Sequence, residues 1–201
     1  MVFRRQYGDR AAMAELCFFG GSMFTYCLYC EAGKCTYVAG ALMARLECQA
    51  IIPKQVQHTW DKGKMVNRIH NLLPGYLFLY SDEPLEISNC QRTQGVVRCL
   101  RSSEGQYELQ GKDEEFALFL LDRKGIIGKT QVTERDRVLE IGPESFRGAD
   151  VKIAKVDRRN TRMQIEIRFL RQIIRTWIEY EIVESEETEQ EGIEENNGAD
   201  N

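Results

Sequence analysis

The sequence is poor in the residue types on which most catalytic sites depend. Its 201 residues include only two histidines, and no glycine-rich stretch has the spacing of a phosphate-binding loop. No serine, histidine and aspartate order suggests nucleophilic catalysis, so we expect no catalytic residues and no enzyme activity. No apolar run approaches the roughly 18 residues that a membrane helix needs, so we expect no membrane span.

The remaining composition is typical of a globular protein, with 43% hydrophobic and 29% charged residues. Seven cysteines, an odd number in a chain without an export signal, favour free thiols in a reducing compartment. The spacing of Cys27, Cys30 and Cys35 resembles part of a zinc site. Cys27 and Cys30 would, however, lie on opposite faces of a strand, with no histidine near them in sequence. We therefore predict a cytoplasmic monomer with core thiols, no metal and no cofactor.

The net charge of −4 conceals an uneven distribution along the chain. Residues 184–201 contain eight acidic residues and no basic one, and removing those eight charges leaves +4 for residues 1–183. So acidic a segment cannot bury enough apolar surface to become ordered, and we predict that it is disordered. It would serve solubility or, alternatively, mimic nucleic acid and shield a nearby basic surface.

Residue periodicity divides the patterned part of the chain into two domains. Residues 23–124 alternate strands with helices at 33–47 and 112–123, which predicts an α+β domain with an antiparallel sheet flanked by helices. A long hairpin is expected from Lys54 to Tyr80, with its tip at residues 61–64. Residues 125–134, which hold two glycines and no periodicity, are the predicted linker.

Residues 135–183 change to an all-β pattern. Met163, Ile165, Ile167 and Phe169 alternate with polar residues, which places these four on one face of a strand. Four or five such short strands predict a small SH3-like barrel. The dense Ile, Val and Thr content favours strands over helices in this domain.

Several motifs, which follow one another along the chain in the order given below, resemble the NusG family of transcription elongation factors. The resemblance covers residues 23–183, as an N-terminal NGN domain followed by a KOW barrel. The N-terminal motifs are Tyr26-x-x-Tyr29-Cys30, Gly33-Lys34, residues 74–78 and residues 93–97; the barrel motifs are residues 134–138, Gly142-Pro143 and residues 155–157. Some segments are most similar to the LoaP branch of specialised antiterminators. These are residues 113–117, 125–128 and 157–159 and the strand at Trp177.

The chain departs from the family pattern in three places. Glu144-Ser145 looks like an insertion, and Val151 stands where KOW motifs usually hold a glycine. Glycine allows a positive φ or a close backbone approach, which valine does not. Whether this loop keeps the shape with which the family contacts RNA or protein therefore depends on Val151. Residues 1–22 have no counterpart, so we expect either a translation start near Met23 or a disordered extension.

The resemblance implies that the NGN domain binds the clamp helices of the largest RNA polymerase subunit. The matching residues are Tyr26, Pro74, Gly75, Tyr76 and Phe78; all could instead be core residues. Alternation predicts Tyr76, Phe78 and Tyr80 on one face of a strand and Leu77 and Leu79 on the other. Glu86, Ile87 and Ser88 occupy the position of a second polymerase contact in related antiterminators.

The barrel is expected to contact a nascent RNA hairpin, and Trp177 beside Arg175 could stack on a base. The candidate RNA-binding residues are Lys152, Lys155, Arg158, Arg159, Arg162, Arg168, Arg171, Arg175 and Trp177. Alternatively, these arginines only solvate the barrel and pair with acids such as Glu166 and Glu179. The expected function is processive antitermination on particular operons. The alternatives are a general NusG factor whose barrel binds a termination factor or a ribosomal protein, or a metal-regulated thiol protein.

Overall fold

A computed structural model describes residues 23–102, 105–142 and 144–183. The predictions for residues 1–22 and for the acidic segment 184–201 fall outside these described residues. None of the described helices is long and apolar enough to cross a membrane.

The first domain is built on a four-stranded antiparallel sheet whose central strands are apolar on both faces. Its strands are β1 (Phe24–Cys30), β2 (Gln49–Ile51), β5 (Tyr76–Ser81) and β6 (Val96–Cys99), in the order β2-β5-β1-β6. All residues of β5 are buried, and so are those of β1 apart from Phe24 and Tyr29, which are half-buried. Both faces of such a sheet must be covered by other elements, because each face carries a row of apolar side chains that is stabilised by removal from water.

Helices supply part of that cover. α1 (Cys35–Arg45) and the short α2 (Ile87–Gln91) pack on one face, against the layer that contains Leu28, Leu77 and Leu79. α3 (Lys112–Asp122) packs on the other face through Phe116, Phe119 and Leu120. Three acidic residues occupy the first turn of α3, where the helix dipole favours negative charge.

A separate three-stranded sheet contains the predicted hairpin in a shortened form. β3 (Lys54–Asp61) pairs antiparallel with β4 (Lys64–Asn71), so the predicted tip at residues 61–64 is confirmed. The predicted return through Tyr80 is wrong, because the hairpin ends at Asn71. Residues 76–81 instead form β5, whose apolar side chains are needed in the centre of the other sheet.

The second domain is a five-stranded, strand-rich unit that curls towards closure. β8 (Thr130–Arg135), β9 (Val138–Ile141), β10 (Asp150–Asp157), β11 (Arg162–Phe169) and β12 (Gln172–Ile182) lie in the order β10-β11-β12-β8-β9. The outer strands β9 and β10 also contact each other. Met163, Ile165, Ile167 and Phe169 are all buried, as their alternation predicts. Val151 lies in β10 opposite Ile167, in regular antiparallel pairing.

The segment predicted as a linker is largely strand. β7 (Ile126–Ile127) pairs in parallel with the start of β3, and β8 begins at Thr130. The amide of Lys54 also donates to the carbonyl of Gly125 at 2.8 Å. The chain therefore crosses between the domains through residues whose backbone groups are hydrogen-bonded to the first domain.

Candidate functional site

One face of β5 carries three aromatic side chains, and these belong to the largest buried cluster of the described residues. Tyr76, Phe78 and Tyr80 point to this face, while Leu77 and Leu79 pack on the α1 side. The predicted alternation is therefore confirmed. We call Tyr76, Phe78 and Tyr80 the aromatic face.

The second domain covers this aromatic face. Phe169, at the end of β11, places its ring centroid 5.3 Å from that of Phe78, 5.6 Å from that of Phe116 and 6.3 Å from that of Tyr76. Phe119 and Phe146 make a second aromatic contact between the domains, with centroids 6.1 Å apart. Tyr76 is consequently only 5% exposed and Phe78 is fully buried, so the docked chain presents neither ring to a partner.

Polar contacts hold the two domains in this arrangement. The hydroxyl of Tyr76 donates to Oε1 of Gln172 at 2.6 Å, and the amide of Leu170 donates to Oδ1 of Asp113 at 3.1 Å. Glu179 accepts from the backbone amide of His58 at 2.6 Å, and its second oxygen lies 2.7 Å from Nδ1 of that histidine. In the docked chain these groups replace hydrogen bonds to water with hydrogen bonds to the other domain. Because hydrogen bonds are directional, they orient a contact that is otherwise apolar.

The second domain packs tightly against α3 at Gly148. The φ of Gly148 is +81°, and a Cβ atom built there would overlap Cβ of Glu115 and the backbone nitrogen of Phe116 on α3. Only glycine combines that dihedral angle with so little space. At the rim of the same contact, Arg147 and Asp122 form an exposed ion pair at 2.8 Å.

Burial raises the pKa of two groups at this junction. Burial raises the pKa of Tyr76 to about 12, so its hydroxyl remains protonated and able to donate to Gln172 at neutral pH. Burial also raises the pKa of Asp113, while the hydrogen bond from the amide of Leu170 partly opposes that rise. A cleft of about 860 Å³ stays open beside Asp113 between the domains.

The other residues predicted to bind the clamp do not lie on the aromatic face. Tyr26 is buried on the α1 side of the sheet, and its hydroxyl accepts from the amide of Leu85 at 3.1 Å. Pro74 is exposed, and Gly75 has a φ of +88° with Tyr29 packed against it. Of the five predicted residues, the structure therefore brings together only Tyr76 and Phe78.

The predicted second polymerase contact lies at the start of α2, away from the domain junction. Glu86 is exposed, and its carboxylate accepts from the hydroxyl of Ser88 at 2.6 Å and from the amide nitrogen of Asn89 at 3.0 Å. Ile87 is half-buried against the α1 side. These contacts fix the beginning of the short helix.

Six of the nine predicted RNA-binding residues share the outer face of β10, β11 and β12, according to the strand register. These are Lys152, Lys155, Arg162, Arg168, Arg175 and Trp177. Trp177 is 37% exposed and lies opposite Gln164, and the guanidinium carbon of Arg162 is 5.9 Å from its ring centroid. Arg158 and Arg159 lie in a single 3-10 turn (Arg158–Asn160), and Arg171 lies in the β11–β12 turn.

Several of these arginines are paired with carboxylates of the same domain. The pairs are Arg158–Glu134 at 3.0 Å, Arg162–Asp157 at 3.5 Å, Arg168–Asp150 at 3.5 Å and Arg175–Glu166 at 2.8 Å. Exposed pairs of this kind contribute little to stability, and they lower the positive potential of the face. No ion pair is formed by Lys152, Lys155 or Arg159 within the described part of the chain.

The described cysteines are free thiols. Cys27 and Cys30 pack on opposite sides of the sheet, as the strand spacing predicts. Burial raises the pKa of Cys30 and of Cys99 to about 12, so both remain protonated at neutral pH. Within residues 23–102, 105–142 and 144–183, no group of three or more His, Cys, Asp or Glu side chains could hold a metal ion.

One family model matches most of the first domain. Residues 25–119 match the family model described as "Transcription termination factor nusG". The first domain is therefore similar to the NusG family over these residues. That description names a family of transcription factors. This match supports, for the first domain, the resemblance that the sequence motifs indicate.

A structural likeness extends over both domains. The structure described as "Domain interaction in Thermotoga maritima NusG" aligns with a TM-score of 0.51 at 13% identity, covering 79% of this chain and 94% of that chain. At this identity the likeness concerns the fold. No curated protein matches the chain by sequence.

Proposed function

We propose that this chain is a bacterial transcription factor whose NusG-family domain binds RNA polymerase through the aromatic face. The observation that carries the proposal is the cover on Tyr76 and Phe78, which comes from Phe169 of the second domain. Aromatic side chains supply large contact areas at low entropic cost, which suits them to a protein interface. The clamp helices of the largest polymerase subunit are the partner that the family resemblance implies.

Polymerase and the second domain would then compete for one surface. A polymerase that binds only the undocked form shifts the population towards it, and its apparent affinity falls in proportion to the undocked fraction. The docked form thus keeps the polymerase surface closed until a second signal favours opening. Tyr26 and Glu86 to Ser88 remain predicted contacts, and Tyr26 would have to act from the other side of the sheet.

We infer that this second signal is nascent RNA, bound by the outer face of β10 to β12. That face stays exposed in the docked form, so RNA could bind before the domains separate. Trp177 offers a stacking surface, and Lys152 and Lys155 are exposed cations without an ion-pair partner in the described residues. Together these features support processive antitermination on operons whose leader carries the RNA, as in the LoaP branch.

The RNA step has a direct test. Trp177→Ala should weaken binding of the leader RNA by about 1–3 kcal/mol, because one base would lose its stacking partner. Read-through of a terminator placed after that leader should fall in parallel, as measured by transcription with purified polymerase. Tyr37→Ala, which removes another exposed aromatic ring on α1, should leave both unchanged. Equal RNA affinity of the Trp177 variant and the wild type would sink the stacking role.

A general NusG-type factor is the second candidate. The ion-paired arginines favour it, because a face with low net potential suits a protein partner such as a termination factor or a ribosomal protein. The same transcription experiment separates the two candidates. Read-through that requires the leader supports the specialised factor, whereas polymerase binding with leader-independent effects supports the general one.

A further inference from the structure

The cleft between the two domains is lined by hydrogen-bond donors and cations from both of them. Its volume of about 860 Å³ falls within the roughly 300–1,000 Å³ of small-molecule sites. The start of α3 and the loop before it form one wall, and the start of β10 with the β11–β12 turn forms the other. The charged lining residues are Lys112, Asp113, Asp150, Arg168 and Arg171, which makes three cations and two carboxylates.

Both carboxylates of the cleft already have partners within the protein. Oδ1 of Asp113 accepts from the amide of Leu170 at 3.1 Å, and Oδ2 of Asp150 lies 3.5 Å from Nε of Arg168. Part of the negative charge in the cleft is therefore compensated. The cations and donors exceed what these two groups use.

Several donors on the first-domain wall have no partner. Ser102 is only 8% exposed, and no described residue bonds to its buried hydroxyl. Lys112 forms no ion pair within the described part of the chain. α3 follows Gly111 without a side-chain cap, so the amides of its first turn have no intrahelical acceptor. A hydroxyl, an ammonium group and the N-terminus of an 11-residue helix together suit an anion.

We propose that this cleft binds a phosphate-bearing small molecule of up to nucleotide size. The phosphate oxygens accept from Ser102, Lys112 and the first amides of α3, while Arg168 and Arg171 add positive charge from the second domain. A phosphate suits the cleft better than a carboxylate does, because it carries more charge and more acceptor oxygens for these several donors.

Binding would hold the domains in the docked form. Each wall belongs to a different domain, so the complete site exists only while the domains are docked. A ligand that binds one form alone stabilises that form as its concentration rises. The ligand would therefore oppose the opening that polymerase requires, and this consequence rests on the proposed function. The binding itself requires neither polymerase nor RNA.

Amide chemical shifts of the full chain test the site. ATP and pyrophosphate, added without metal at constant ionic strength, should each produce saturable changes at the amides of Ser102, Lys112 and Arg171. Adenosine, which lacks phosphate, should produce none. Lys62 and Lys64 at the hairpin tip report non-specific attraction to phosphate, and their amides should not move.

Two pairs of variants locate the phosphate. Ser102→Ala should weaken the binding of ATP and pyrophosphate by roughly 10-fold, because a hydrogen bond to a charged group is lost. Thr25→Val is its control, since it removes another buried hydroxyl without a partner, on β1 and outside the cleft. Lys112→Gln should also weaken binding, whereas Lys155→Gln, which changes an exposed lysine outside the cleft, should not.

Hydrogen exchange at the amide of His58 measures the effect on docking. This amide donates to Glu179 of the second domain and does not line the cleft. ATP should raise its protection in the wild type, and the same ATP concentration should have less effect in Ser102→Ala. Binding without added protection would overturn the effect on docking.

Other outcomes would overturn the site itself. These are cleft amides that ignore both phosphates, or equal affinities for Ser102→Ala and Thr25→Val. Shifts in the cleft caused by leader RNA, and not by ATP or pyrophosphate, would assign the cleft to RNA and contradict the proposal. None of the measurements on the small phosphates involves polymerase, so their failure would leave the proposed function standing.

Discussion

Replacement of Gly148 by alanine is expected to raise the affinity of the chain for RNA polymerase by about 5- to 150-fold. The new Cβ would overlap the backbone of α3 at Phe116, which cannot yield as a flexible side chain can. Overpacking of this kind costs about 1–3 kcal/mol. That cost falls on the docked form alone, so the undocked fraction and the apparent affinity rise by the same factor.

Gly63→Ala is the matched control for this variant. Gly63 also has a positive φ, +77°, but no atom lies within 4 Å of a Cβ built there. Both variants therefore carry backbone strain, and only Gly148→Ala disturbs the domain contact. Fluorescence or surface-based titration with core polymerase measures the effect. Equal affinities for Gly148→Ala and the wild type would show that the docked contact does not limit polymerase binding.

Phe116→Ala is expected to lower the free energy of unfolding by about 3–5 kcal/mol, the range for large aromatic truncations in a core. Phe116 is fully buried, and its ring centroid lies within 6.2 Å of those of Phe78, Phe119 and Phe169. It therefore supports the fold of the first domain and the docking of the second at once. Chemical denaturation followed by circular dichroism gives the change.

The control for core truncation is again Tyr37→Ala. Tyr37 is 55% exposed on the same type of element, and its loss should change stability by less than about 0.5 kcal/mol. If Phe116→Ala costs less than about 1 kcal/mol, the shared aromatic cluster does not hold the domains as described.

The alternation in β5 and β11 was predictable from sequence because a strand repeats every two residues. It assigns Tyr76, Phe78 and Phe169 to apolar faces, but gives no information on which face meets which. The alternation places Phe169 on the apolar face of its own strand, and the sequence gives no sign that Asp113 contacts the second domain. Their role in the domain contact depends on tertiary placement, for which a single sequence carries no periodic signal.

Two other differences between the sequence prediction and the structure have local causes. Residues 72–80 follow the hairpin with an apolar run, so periodicity alone could not separate its return strand from β5. Gly125 and Gly128 suggest a linker, yet β7 lies between them and completes the small sheet beside β3. The close approach at Gly148 gave no signal beyond the presence of a glycine, because the requirement comes from α3 in the other domain.

Hydrogen exchange at two amides tests the central claim most directly. The amides of His58 and Leu170 donate to Glu179 and Asp113, in each case across the domain boundary. Their protection therefore reports docking, whereas the amide of Leu100, bonded to Cys27 within the first domain, reports the fold. We predict that saturating core polymerase removes protection from His58 and Leu170 and leaves that of Leu100 unchanged. Polymerase that binds while both interdomain amides stay protected would contradict the account.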